Sequence, residues 1–392
     1  MNKINLPVYW EILPFTSCLK KVKTKKKLSI PKTDNQESGE FPVIDQGASF
    51  IPGWTDSAEA VISDNLPVVI FGDHTRVFKY IDFPFALGAD GTQLLYPNDE
   101  ILDSHFFYYA LLNLKVPNKG YNRHYRYLRE FSVVCPPLPE QRAIAHVLQT
   151  IQEAKLTRQS EIALERERKA ALMDFLFSHG TKGEPRKQAE IGEIPESWEI
   201  VQLKEIANLR RENVKPKDSQ SLNFVGLEHI DSGESTLKRW GDASAMKSAK
   251  NRFYPDDVLY GKLRSYLDKA VIAEMGGVCS TDILVFTANS KMLPRFLVYL
   301  LHTEVFVNHA VATSTGISHP RTSWDPLGKF TFALPSLPEQ RAITSIFQAI
   351  DEKTAALEQE TQHLDELFRA MLEELMTGQR SAVPLIDIEM DV

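Results

Sequence analysis

The chain has 392 residues, 43% of them hydrophobic and 25% charged, a balance that fits two or three globular domains and excludes a fibrous or largely disordered chain. The net charge of −7 is unevenly spread: residues 336–392 carry 4 basic and 12 acidic side chains, whereas 1–136 carry 15 of each and 181–335 carry 20 basic and 19 acidic. Most of the chain is therefore close to neutral, and its overall acidity does not exclude a polyanionic ligand.

No apolar run is long enough to span a membrane, and Met1–Phe15 lacks the layout of a secretion signal. Cys18, Cys135 and Cys279 are odd in number and far apart, without metal-ligand spacing. They suit a reducing compartment, and the expected location is cytoplasmic.

In chain order, residues 1–136 read as a first domain, opening on Pro7-Val-Tyr-Trp10-Glu11-Ile12. A lysine run follows (Lys20, Lys21, Lys23, Lys25, Lys26, Lys27), then a strand-like Val68–Phe71 and a polar turn, Gly72-Asp-His-Thr-Arg76. A helical patch at Ser104–Leu114 precedes a second basic stretch, Arg123-His124-Tyr125-Arg126 with Arg129. Residues 137–180 predict one long helix, in which Pro139 before Glu-Gln suits a first turn and Gly180 a stop. Its apolar stripe, Ile144, Leu148, Ile151, Ile162, Leu172 and Leu176, is interrupted by Lys155, Arg158 and Glu165.

A linker, 181–194, leads to a second domain, 195–335, which opens on Pro195-Glu-Ser-Trp198-Glu199-Ile200. It holds strand-like Asp257–Tyr260 and Asp282–Phe286, a helical patch at Pro294–Asn308, and two polar basic stretches, Lys262–Lys269 and His319-Pro-Arg-Thr322. Residues 336–378 predict a second long helix, with Ile343, Ile350, Leu357, Leu364 and Met371 at heptad spacing. Residues 379–392 form an acidic tail.

This order is a repeat. Leu138–Ile144 and Leu337–Ile343 are both LPEQRAI, 199 positions apart, and the Pro-x-x-Trp-Glu-Ile openings are 188 apart. The unit, a domain and then a helix, occurs twice. The expected fold is α+β, two domains each followed by a long helix, with the helices packed as an antiparallel coiled coil about a pseudo-two-fold axis. Gln141, Arg142, Gln340 and Arg341, at equivalent helix starts, are expected to be exposed and to dock partner subunits, although capping and local ion pairing would also account for them.

No phosphate loop, nucleophile elbow, HExxH or Cys-x-x-Cys occurs, and no Asn-Pro-Pro-aromatic or Asp-Pro-Pro-aromatic tetrapeptide. Catalysis by this chain alone is not expected. Basic residues interleaved with hydrogen-bonding and aromatic ones suit nucleic acid, because phosphates need cations and base edges need shaped donors and acceptors. The candidates are His74, Thr75, Arg76, Arg123, His124 and Arg126 in the first domain, and Lys262, Arg264, Ser265, Lys269, Arg321 and Thr322 in the second. Taken alone, each stretch reads better as a solvated surface or a polar turn, and only together do they point to nucleic acid.

With the doubled LPEQRAI helix entry and the Pro-x-x-Trp-Glu openings, the chain resembles the DNA-specificity subunits of type I restriction-modification systems over nearly its whole length. Phe41-Pro-Val-Ile44, Gly72–Arg76 and Gly88-Ala-Asp-Gly91 look like one target-recognition type, and Val225–Ile230, Asp257–Leu267 and Cys279-Ser-Thr-Asp282 like another. The resemblance implies two target-recognition domains, each reading half of a split double-stranded DNA sequence, and helices that bind two methyltransferase subunits. It places catalysis in the partners, with S-adenosylmethionine in the methyltransferase and ATP and Mg in a restriction subunit, and no cofactor on this chain. Asp256 stands where the family often has glycine. Two other readings stay open at this point: a coiled-coil adaptor whose domains bind proteins, and a self-sufficient nuclease or methyltransferase.

Overall fold

The computed structural model describes residues 6–22, 29–88, 91–120, 122–215, 222–246 and 248–386. Lys23, Lys25, Lys26 and Lys27 of the lysine run, Ala89-Asp90 and part of the acidic tail lie outside them. The chain divides into two compact units, Met1–Ser160 with Glu358–Val392, and Glu161–Leu357. Each unit therefore holds one domain, the first half of the helix that follows it, and the second half of the other long helix.

In the first unit, Val68–Gly72 is the central strand of an antiparallel sheet, between Phe78–Ile81 and Thr92–Leu95. It reads Val-Val-Ile-Phe-Gly without polar alternation because both faces are covered, and successive side chains of a strand point to opposite faces. Val69 and Phe71 enter a core with Trp10, Phe106, Phe107 and Leu148. Val68 and Ile70 enter another with Ile44, Ile62 and Phe85, beneath a sheet formed by Phe41–Ile44, Gly53–Thr55, Phe85–Leu87 and Val61–Ile62.

The second unit repeats this plan. Val258–Gly261 lies between Ala270–Ile272 and Ile283–Ala288, which also pairs with Ala207–Leu209. Val258 and Tyr260 face a core with Trp198, Phe286 and Phe347, while Leu259 faces another with Val225, Val271 and Val285. Before the central strand, Asp256 adopts φ 69°, so the turn keeps a glycine-type backbone around an aspartate.

Two short antiparallel ladders close the domains. Glu11–Pro14 pairs with Ser132–Cys135, and Glu199–Gln202 with Thr331–Leu334. Each domain's first and last strands are thus neighbours, which brings the repeated tryptophan beside the repeated LPEQ.

The long helices run from Leu138 to His179 and from Leu337 to Met376. Within the first unit Lys155 pairs with Asp365 and Arg158 with Glu360, at 2.8 Å for the second. Within the second unit Lys353 pairs with Glu165 at 2.5 Å and Lys169 with Asp351 at 2.6 Å. In both, the partner's number falls as the first helix's number rises, the register of antiparallel helices. Lys155, Arg158 and Glu165, which break the apolar stripe of the first helix, each take a charged partner on the second.

Candidate nucleic-acid interface

The junction between domain and helix is built alike in both units. Trp10 Nε1 donates to Glu140 Oε2 at 3.0 Å, and Trp198 Nε1 donates to Glu339 Oε2 at 3.2 Å. Gln141 Oε1 accepts from Asp103 N at 2.8 Å while its Nε2 donates to Ile101 O and Pro136 O. Gln340 makes the same set, from Leu293 N at 2.9 Å and to Lys291 O and Pro335 O. Each glutamine therefore ties the start of its long helix to the start of a shorter helix, Ser104–Leu112 or Pro294–Leu301.

Both glutamines have no exposed surface. This corrects the expectation that they are exposed docking residues: buried backbone groups at two helix starts need partners, and the amide satisfies three of them at once. Arg142 and Arg341 remain exposed. Gly180 and Gly378 end the long helices at φ 68°, and a side chain there would collide with Glu339 and Trp198 or with Pro7.

The junctions differ in charge. Glu339 also accepts from Thr181 N at 3.1 Å and Lys182 Nζ at 2.9 Å. Burial alone would raise its carboxyl, but those donors and Trp198 hold it below the usual glutamate range. Glu140 Oε1 is buried without a hydrogen-bond partner among the described residues.

Each unit brings two of its candidate loops together. In the first, Asp73 N donates to Gly91 O at 2.7 Å and His124 N donates to Asp73 O at 2.8 Å. In the second, Lys262 N donates to Asp282 O at 2.9 Å and Thr322 N to Lys262 O at 3.0 Å. The same residue position after the glycine that ends the central strand thus anchors the same two loops. Arg76 at φ 63° and Arg264 at φ 54° follow in left-handed backbone. Gly72 is needed in the first turn because a β-carbon would collide with Thr75 Oγ1.

The side chains on this frame divide into braces and outward groups. Asp73 is buried and its carboxylate accepts from Tyr125 N at 2.7 Å. His124, fully buried, meets Asp73 O through Nδ1 at 2.8 Å and accepts from Lys119 N through Nε2 at 3.2 Å. Ser265 and Thr322 are buried, and Ser265 bonds Ser314 at 3.2 Å. His124, Ser265 and Thr322 therefore hold the loops and do not reach out of them, a correction with a simple cause: polar groups inside a tight turn are consumed by its backbone and neighbours.

Other candidates are partly committed. Thr75 Oγ1 donates to Gln46 O, His74 N to Gln46 Oε1, Arg76 to Val116 O at 3.1 Å, and Lys269 Nζ to Leu227 O at 2.6 Å. Arg126 lies over the Tyr127 ring, 4.5 Å from its centroid. Arg321 pairs with Asp282 at 3.1 Å, and Arg264 reaches His319 at 3.5 Å. Exposed Arg123 and half-buried Lys262 pair with no carboxylate among the described residues. Lys119, exposed on the loop that His124 holds, escaped the sequence reading because it stands outside any basic run.

Among the described residues no group of three His, Cys, Asp or Glu could hold a metal ion, and no helix is long and apolar enough to cross a membrane. The cysteines are buried, and burial pushes the Cys18 and Cys279 thiols up to about 12, far from a reactive thiolate.

The model of the type I restriction modification DNA specificity domain matches the chain twice, at residues 10–166 and 195–366. The type I restriction enzyme MjaVIII specificity subunit of Methanocaldococcus jannaschii is 24% identical over 407 residues, covering 96% of this chain and 94% of that one. The EcoDI specificity subunit of Escherichia coli is 24% identical over 421 residues, covering 97% and 91%. Among solved structures, the type I restriction-modification S subunit from M. genitalium superposes with a TM-score of 0.62 at 16% identity, over 96% of this chain and 97% of that one. A chain from a type I R-M system assembly gives 0.55 at 16% identity, over 95% and 98%.

Proposed function

Because the chain belongs to the family of type I restriction-modification DNA specificity proteins, we propose that it reads a bipartite, asymmetric DNA target and positions methyltransferase subunits, and a restriction subunit where one is present, on it. The observation that carries this reading is the shared loop frame: both units use the same backbone hydrogen bonds to join two cation-bearing loops, yet place different side chains on them. Two such frames with different surfaces suit two different half-sites. Lys262, Arg264, His74, Arg76 and Arg123 are the residues assigned to DNA, with Lys119 added.

The chain itself is a non-catalytic, cytoplasmic component. The methyltransferase partners supply S-adenosylmethionine chemistry, the restriction partner uses ATP and Mg, and the exposed Arg142 in one unit and Arg341 in the other each mark a docking position for them. The rival adaptor reading lacks an account of two matched cationic frames.

The test compares genomic adenine methylation in cells with and without this chain: one split motif should disappear. Lys262→Ala or Arg264→Ala should then relax one half of that motif, and Arg76→Ala or His74→Ala the other. A base contact is worth ~1–3 kcal/mol. Affinity that does not fall with salt would instead favour the adaptor, since phosphate contacts release counterions.

A further inference from the structure

We propose that Tyr266, at the tip of the Lys262–Lys269 loop, is a specificity-determining wedge that stacks at a base step of the half-site read by the second unit. The inference rests on the reading of the chain as a DNA-specificity subunit and goes beyond it by naming an aromatic contact where the basic residues suggest only charge.

Ser265–Leu267 is a single helical turn bracketed by two left-handed residues, Arg264 at φ 54° and Asp268 at φ 47°. Neither is glycine, so the backbone is held there against its preference. The anchors are visible on every side. Arg264 N donates to Pro320 O at 2.8 Å and Gly233 N to Asp268 O at 2.9 Å. Asp268 Oδ1 meets the buried His302 ring at 2.7 Å, and Ser232 Oγ donates to Leu267 O. The base of the loop is fixed.

Its tip is the opposite. Tyr266 is 56% exposed and Leu267 36%, and the Tyr266 hydroxyl has no hydrogen-bond partner among the described residues. On the hairpin that Thr315 and Arg321 close with two hydrogen bonds, Ile317 is fully exposed. Single exposed apolar residues need no explanation, but here an aromatic and two aliphatic tips stand on linked loops. The acids of these loops are paired, Asp268 to His302 and Asp282 to Arg321, while Lys262 carries no carboxylate partner among the described residues. Basic residues and an exposed ring on one loop with a fixed base match a duplex, in which phosphates flank a stack of π-faces.

The experiment uses the full chain assembled with its methyltransferase partner and a duplex bearing the motif that cells with the unaltered chain methylate. Tyr266→Phe should bind like the wild type. Tyr266→Ala should bind about ten- to a hundredfold more weakly, with an unchanged salt slope, because no phosphate contact is lost. 2-Aminopurine placed in the affected half-site should brighten on binding the wild type and stay dark with Tyr266→Ala. Wild-type affinity in Tyr266→Ala overturns the wedge, as does a reduced salt slope or the absence of brightening with the unaltered chain. If the unaltered chain directs no split motif, the specificity reading fails and the wedge falls with it.

Discussion

The junction around Trp198 and the turn around Arg264 belong to one unit but are built on opposite plans. At the junction the side chains are the structure: Trp, Glu and Gln recur in both units because their hydrogen bonds join the domain to its helix. At the turn the backbone is the structure, and the first residue after the strand can be Asp73 in one unit and Lys262 in the other without altering the two bonds that hold the loops. A frame joined through backbone bonds leaves the side chains that do not brace it available for a ligand. Sequence repetition therefore marks where side chains carry the architecture, and sequence divergence marks where they are released from it.

The largest effect should come from breaking a junction. Gln141→Ala or Gln340→Ala strands one buried carbonyl together with a part-buried carbonyl and N–H, and each is expected to lower stability by about 3 kcal/mol in denaturant titration. Equal losses in the two variants would sharpen the equivalence of the junctions. A loss under about 0.5 kcal/mol, typical of surface substitutions, would break it.

At the turns the two units should part. Asp73→Ala removes a buried carboxylate that accepts from Tyr125 N, and about 2 kcal/mol should be lost. Lys262→Ala, at the matching position, should change stability by less than about 0.5 kcal/mol while weakening DNA binding. If both variants unfold equally easily, the backbone is not what holds the frame.

This difference also explains what could be read from the sequence. The long helices, the repeat and the central strands were legible because heptad spacing, LPEQRAI and unbroken apolar runs are local signals. Gln141 and Gln340 were misplaced on the surface because a glutamine in a first turn is ordinarily solvated, and its burial depends on Ile101, Asp103, Lys291 and Leu293, which lie far away in sequence. His124, Ser265 and Thr322 fell among the candidate contacts for the same reason: residue type indicates that a side chain is polar, not which way a turn points it. The basic stretches were visible singly, but only the fold joins Asp73 to His124 and Lys262 to Thr322.

A smaller effect separates the junctions by pH. Glu339 has its carboxyl held below the usual value of 4.5, so the stability it contributes is present above that value and is lost as pH falls through the depressed one. Glu339→Gln should therefore be less stable than the wild type by about 1 kcal/mol at neutral pH, and the gap should close toward pH 3. Glu140→Gln, at a site without the lysine, should stay within about 0.5 kcal/mol of the wild type at pH 7. Parallel curves for Glu339→Gln and the wild type across the acid range would remove the ion pair with Lys182 as the cause.

The smallest expected change tests strain and function against each other. Asp256 and Arg264 both hold left-handed backbone in the second unit, at φ 69° and φ 54°, a conformation that disfavours any residue with a β-carbon. Glycine relieves that strain, although its freer unfolded chain returns part of the gain, so Asp256→Gly and Arg264→Gly should each stabilise the fold by about 0.5 kcal/mol. Their consequences for DNA should differ. Asp256 sits before a buried strand, in a turn whose work is done by Asp256 N on Ala273 O and Asp257 N on Tyr254 O, and glycine leaves both bonds in place. Arg264, two residues before Tyr266, carries a half-buried side chain whose guanidinium reaches His319 at 3.5 Å and is assigned to DNA. Asp256→Gly should therefore melt slightly higher and methylate the same motif, whereas Arg264→Gly should melt higher and lose discrimination in one half-site. An unchanged motif in Arg264→Gly would mean that the left-handed arginine serves the turn alone, and the contrast between backbone frame and released side chain would fail at the residue where it is drawn most sharply.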